Sequence, residues 1–258
     1  MSNILDKVRK LNWLLQEIPT GAFSFDDLCK ILSDLMEANV FALNYGGTLV
    51  GMSLKIPDKN NLIMNEETGL YYLPEESVAE LNKVDSTMAN IKDNEVQTLF
   101  KFKFTTVNKY YTVIPVAGGG ARWGTLVMTR FEPEFTDEDL VLGEYGATIV
   151  ALTLRREKLE KEISEAREEE NVQMAIGTLS YSETEAVKHI FAELEGDEGI
   201  LVASKIVDRS GITRSVIVNA LRKLESASLI ETRSLGMKGT RIKILNPKLK
   251  TELAKIKG

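Results

Sequence analysis

The stretch ASKIVDRSGITRSVIVNALRKL, residues 203–224, constrains the fold of this chain more than any other part of it. Ala203 to about Arg209 reads as one short helix, Gly211 supplies a tight turn, and Thr213 is placed to cap a second helix carrying Val216, Ile217, Ala220, Leu221 and Leu224. Ile206, Val207, Ile212, Ile217 and Ala220 can form the shared core of two helices crossing at such a turn. That leaves Thr213, Arg214, Ser215, Asn219, Arg222 and Lys223 outside it. The spacing predicts a helix-turn-helix over 203–222, whose second helix turns its N-terminal part to base edges in a major groove. The outward set is hydrogen-bonding and cationic, as groove contact requires. LIETRSLGMKGTRIKIL follows and reads as two strands around Gly236 to Gly239. With Arg233, Lys238, Arg241 and Lys243 on it, this hairpin (230–245) predicts a basic wing suited to phosphate or minor-groove contact.

Charge supports that assignment once its distribution is considered. The whole chain of 258 residues carries −6, which alone would argue against a polyanionic partner. From Leu201 to Gly258, however, 13 Lys and Arg face 4 Asp and Glu, a net of +9, so residues 1–200 carry −15. A basic module is joined to an acidic one.

The acidic part opens with an amphipathic helix, about Ile4 to Ile18, with Leu5, Val8, Leu11, Leu15 and Ile18 near one face. Ser24 and Asp27 resemble a capping box before a second helix whose stripe is Phe25, Leu28, Ile31, Leu32 and Leu35. VFALNYGGTLVGMSL then reads as a hairpin, with Gly46 and Gly47 able to supply positive φ. Residues 55–94 are poorly periodic. After them VQTLFKFKF, YYTVIPVAGGG and RWGTLVMTRF are three strand candidates, the last two joined across Gly118 to Gly120. Thr136 is expected to cap a helix running through TDEDLVLGEYGATIVALTL and on to about Glu170, and Ser182 with Glu185 to box the start of another. Helices before and after an antiparallel sheet predict an α+β sensory fold of the GAF or PAS kind. The expected division is a sensor domain (1–155), a connector helix (156–177) and a winged helix-turn-helix domain (178–258). The connector's Leu152, Leu159, Ile163 and Ala166 fit either a solvated spacer or a dimer-forming helix.

Several classes are disfavoured. No apolar run reaches the ~20 residues a spanning helix needs, and the first residues do not build a signal-peptide core, so a cytoplasmic protein without membrane contact is expected. Cys29 is the only cysteine and is expected to be a buried helix residue; no metal site and no covalently held cofactor are expected. His189, the only histidine, reads as a partly buried structural residue. With one Cys and one His, neither a Cys-His pair nor a Ser-His-Asp triad has context, and an enzyme is not expected. GGGARWGT superficially resembles a phosphate loop, but it lacks the lysine and joins two strands, so a hairpin turn is expected.

ASKIVDRSGITRSVIVNALRKLES and TRSLGMKGT, together with EYGAT, LSYSE and IPVAGGG, closely resemble the CodY family of nutrient-responsive regulators. The likeness is dense from Phe135 to the C-terminus and thin between Asn44 and Val113. It implies a dimeric global regulator, mainly a repressor, with a GAF sensor, binding AT-rich palindromes when branched-chain amino acids and GTP signal sufficiency. It also implies that Ser215 is a phosphorylation site. Phe25 and Lys158 match family nucleotide contacts, yet Asn44-Tyr45-Gly46-Gly47-Thr48 stands where relatives carry Ser-Arg-Arg-Gly-Lys, so a triphosphate would be poorly held. The family's pocket arginine aligns near Ile63. A small, largely apolar effector, isoleucine first, is therefore expected among Met64, Leu73 and Phe100. Two other readings of the residues stay open: a metabolite-sensing module that binds a protein partner, and a nonspecific DNA-binding protein.

Overall fold

The computed structural model describes residues 3–17, 23–56, 62–101, 108–194, 196–202, 206–208 and 211–256. The chain divides into two compact units, residues 1–158 and 159–258.

The first unit is built on one antiparallel sheet. Its strands are β1 (Asn39–Asn44), β2 (Leu49–Ser53), β5 (Met88–Ile91), β6 (Lys109–Gly118) and β7 (Ala121–Phe131), in the spatial order β2-β1-β7-β6-β5. The period of two sorts side chains between two cores. Val40 and Ala42 of β1, Ile114 and Val116 of β6, and Leu126 and Met128 of β7 pack with helices α1 (Ile4–Glu17) and α2 (Phe25–Met36) and with the start of α5 (Asp137–Gly177). Phe41 and Leu43, Tyr111 and Val113, and Val127 face the other way. There they meet α3 (Glu75–Leu81) and α4 (Asp93–Phe100). Each fully buried side chain such as Leu32 or Met128 stabilises the unit by about 2 kcal/mol. A small ladder of β3 (Ile63–Met64) and β4 (Tyr71–Tyr72) completes the unit.

Arg130 locks the sheet to the helix that follows it. Its buried guanidinium donates to Met36 O and Pro133 O at 2.8 Å each, to Glu134 O, and to Asp139 Oδ2 at 2.8 Å, while lying over the Phe135 ring. Asp139 in turn accepts from the Thr136 amide at 2.9 Å, and Thr136 Oγ1 accepts from the Asp139 amide at 3.3 Å. The expected cap at Thr136 is thus reciprocal.

The second unit holds the last turns of α5, then α6 (Tyr181–Ala192), β8 (Glu198–Leu201), α7 (Arg214–Ser226), β9 (Ile230–Ser234), β10 (Thr240–Ile244) and α8 (Lys248–Lys255). Val172 and Ala175 of α5 enter its core beside Val187, Ile190, Ile217, Leu224 and Ile242. Among the described residues no helix is long and apolar enough to cross a membrane.

Four expectations are corrected. VQTLFKFKF does not begin as a strand: residues up to Phe100 are α4, because Val96, Leu99 and Phe100 bury one helical face; residues 102–107 lie outside the described set. The box at α6 is Ser180 with Glu183, two residues earlier than Ser182 with Glu185. Ser24 caps α2 by accepting from the Asp26 amide, and Asp26, not Asp27, is the engaged acid, accepting from the Met52 amide at 2.8 Å. His189 is exposed. The wing hairpin is present as expected, β9 pairing with β10, and β8 adds a third strand on the far side of β10. Cys29 is buried as expected, and burial pushes its thiol up to about 12, which leaves it without thiolate character.

Candidate nucleic-acid interface

The helix-turn-helix takes shape around Gly211, whose φ of 69° is a left-handed conformation that costs glycine nothing. Its amide donates to Val207 O at 3.0 Å, ending the helical segment 206–208. The rest of the expected first helix, 203–205 and 209–210, lies outside the described residues. Thr213 has extended backbone at the N-cap of α7, and its hydroxyl lies 3.0 Å from Ser215 Oγ instead of capping an amide.

Helix α7 is two-sided. Ile217, Ala220, Leu221 and Leu224 are buried, whereas Arg214, Ser215, Val218, Asn219 and Arg222 are exposed along the opposite face. Five side chains at i, i+1, i+4, i+5 and i+8 form one continuous strip. Val218 was not foreseen from the sequence, where it reads as one more apolar helix residue; on this strip its methyls could meet a thymine methyl.

Lys223 departs from the expectation. Its ammonium group donates to Glu183 Oε2 at 2.7 Å and to Thr178 O at 2.8 Å, so it ties α7 to α6 and is not presented with the strip. The Lys223 hydrogen bond is the main reason that the Glu183 carboxyl is held below the usual carboxylate range, with the Ser180 amide next.

On the wing, Arg233 and Arg241 are direct cross-strand neighbours, and Lys243 lies opposite Glu231 on one side and Glu198 on the other. These five groups line a shallow depression. Arg241 is engaged there by Glu198, so of the expected wing cations Arg233 and the exposed Lys238 near the tip are the better presented. A groove of about 470 Å³ is lined by Arg214, Val207 and Asp208 on the helical side and by Ser234, Gly236 and Met237 on the wing side.

In the sensor unit, Leu73 and Phe100 share the buried cluster on the α3/α4 side of the sheet, where the Phe100 and Tyr111 rings lie 6.1 Å apart. Met64 does not join them: it pairs with Tyr71 on the small ladder and is 52% exposed. Arg122, which the sequence did not single out, holds this side together by donating to Leu81 O, Val84 O, Gly124 O and Thr125 Oγ1. Burial lowers its pKa. Phe25 meets Phe23 edge-on at 5.2 Å, and Lys158 Nζ lies 5.7 Å from the Trp123 ring centroid; Phe25 and Trp123 both border the α1/α2 core. Among the described residues no cluster of three or more His, Cys, Asp or Glu could hold a metal.

A helix with one polar exposed face, preceded by a glycine turn and followed by a three-stranded basic wing, is a winged helix-turn-helix. Joined to a GAF-type α+β sheet, it defines the class of transcription regulators that carry a ligand-sensing domain. Family models agree with both halves: the CodY GAF-like domain matches residues 3–178 and the CodY helix-turn-helix domain residues 197–257. Similar proteins include the global transcriptional regulators CodY of Thermoanaerobacter sp. (strain X514), 51% identical over 257 residues with 100% of both chains covered, and of Geobacillus sp. (strain WCH70), 50% identical with 99% of each covered. A solved structure of the cofactor-binding GAF domain of the nutrient sensor CodY from Clostridium difficile is 34% identical, covers 59% of this chain and 97% of its own, and gives a TM-score of 0.48. The chain belongs to the CodY family of global transcriptional regulators.

Proposed function

We propose that the protein is a homodimeric regulator, mainly a repressor, that binds AT-rich palindromic operators when a branched-chain amino acid occupies its sensor domain. The observation that carries this reading is the strip Arg214, Ser215, Val218, Asn219 and Arg222, exposed on a helix whose other face is fully buried. Such a helix has no folding use for that face, and its chemistry matches base edges and phosphates. One recognition helix reads only a few base pairs, so two-fold repetition on a palindrome supplies specificity. Leu152, Leu159 and Ile163, exposed along α5, offer an apolar seam for the second copy.

Isoleucine is the first effector to test, bound near Leu73 and Phe100, because that cluster is apolar and backs onto the sheet. GTP is the weaker candidate. The hairpin of Asn44 to Thr48 contains no cation, and Lys158 is the one lysine at the matching positions. A phosphate on Ser215 would set negative charge on the exposed strip and oppose DNA.

The test is binding of the full chain to an AT-rich palindrome and to a scrambled duplex at physiological salt, with and without isoleucine, valine, leucine and GTP. Specific binding tightened by an amino acid is expected. Equal binding to both duplexes would replace this reading with that of a nonspecific DNA-binding protein.

A further inference from the structure

Met237 is the most exposed large hydrophobic side chain among the described residues, with a relative accessibility of 104%. It belongs to neither the core of its unit nor the shell packed against that core. The turn that carries it is nonetheless closely determined. Leu235 N–H donates to Gly239 O at 2.8 Å, Gly239 N–H to Gly236 O at 3.2 Å, and Lys238 N–H to Leu235 O at 3.3 Å. Gly239 has φ 111°, and a Cβ there would lie 2.3 Å from Leu201 O, so the turn is seated directly against β8. A fixed turn that holds an unpartnered apolar side chain fully in water has no purpose in the stability of the domain.

Its surroundings specify what it meets. Lys238 follows it in the turn and Arg233 precedes it on β9, both exposed. Across the groove stands Arg214, the first residue of the recognition helix. Cations on both sides of one apolar tip suit a polyanion with an apolar interior, which is the description of stacked bases between two phosphate strands. With α7 in a major groove, a wing beside its N-terminus reaches the neighbouring minor groove. There Met is among the side chains that wedge between base steps and bend the duplex. Its unbranched, polarizable chain conforms to a narrow slot without a fixed rotamer.

We propose that Met237 is such a wedge: it enters the minor groove beside the half-site read by α7 and opens a flexible pyrimidine–purine step, so that part of the operator's specificity lies in its capacity to bend. The proposal rests on the DNA-binding reading above.

The test uses the full-length protein and a duplex selected from a random pool by that protein, labelled at its ends so that bending is read by energy transfer. Met237→Ala is expected to weaken binding about tenfold and to reduce the bend. It should leave the slope of log affinity against log salt unchanged, because no charge is lost. Met237→Leu should retain both affinity and bend. Lys238→Ala should instead reduce the salt slope by about one ion while keeping the bend. Wild-type binding without a bend, or a Met237→Ala protein that binds and bends as the wild type does, overturns the wedge and leaves the regulator reading intact. A wild-type protein that selects no duplex overturns both.

Discussion

Lys223 on the recognition helix and Glu183 on α6 are joined at 2.7 Å, and the same Glu183 oxygen accepts from the Ser180 amide at 2.7 Å to close the capping box. One carboxylate therefore fixes both the start of α6 and the tilt of α7 against it. Glu183→Gln keeps an oxygen that can accept from the Ser180 amide but gives up the charge on its bond to Lys223, and is expected to lower the stability of the second unit by about 1 kcal/mol. The pH dependence has a definite sign. Because the folded carboxyl sits below its ordinary 4.5, its contribution is complete above that pH and is lost as pH falls through the lower folded value. Wild-type stability should drop more steeply than that of Glu183→Gln below pH 4.5. Trp13 and Trp123, the only tryptophans, lie in the first unit, so fluorescence follows the first unit, and a circular dichroism change without a fluorescence counterpart reports the second.

Arg130 is the corresponding fastener of the sensor unit. Arg130→Leu leaves Asp139 buried without its cation and Met36 O and Pro133 O without their donor. A loss of about 3 kcal/mol is expected. It should be seen as an earlier fluorescence transition, while the part of the circular dichroism change that has no fluorescence counterpart stays in place.

Arg214→Ala and Asn219→Ala remove side chains from the exposed strip without touching the core. Each is expected to cost about 1 to 3 kcal/mol in binding to the selected duplex. Binding to a scrambled duplex should change much less for Asn219→Ala, which loses no charge. Equal losses on both duplexes would mean that Asn219 does not read bases.

These elements were unequally legible in the sequence. The β6–β7 hairpin was plain, since two runs rich in β-branched and aromatic residues are separated by glycines. The second helix of the turn motif was equally plain from Ile217, Ala220, Leu221 and Leu224. Helix α4 was not, because Val96, Thr98 and Phe100 are strand-favouring residues, and burial of the face formed by Val96, Leu99 and Phe100 decided the outcome over propensity. At α6 the sequence contains two overlapping Ser-x-x-Glu boxes, and the choice between them was made by Lys223, forty residues away. Strand β8, four residues that include Gly199, has almost no strand signature and exists because β10 offers it an edge. Met64 was grouped with Leu73 through the pocket positions of the family it resembles, and the small β3–β4 ladder leaves it exposed instead.

Ser215 is exposed beside Arg214, with its hydroxyl 3.0 Å from that of Thr213. A carboxylate there would repel phosphate and draw Arg214 away from it. Ser215→Glu is therefore expected to weaken operator binding about tenfold or more. Ser215→Ala should bind within a few-fold of the wild type. Since residue 215 packs against nothing in the core, both variants should unfold as the wild type does, which separates a charge effect from misfolding.

The exposed positions Leu152, Leu159 and Ile163 recur on one side of α5 at intervals of seven and four, the spacing of a two-stranded seam. Water-exposed leucine and isoleucine in a helix otherwise rich in Glu, Lys and Arg have no partner within their own unit's core. Ile163→Glu should therefore shift the full chain toward monomer in sedimentation experiments, because two copies would bring like charges together at a desolvated position. Operator affinity should fall with it, since the two recognition helices would no longer be linked. A dimer that survives this change together with Leu159→Glu would place the two-fold contact on another surface.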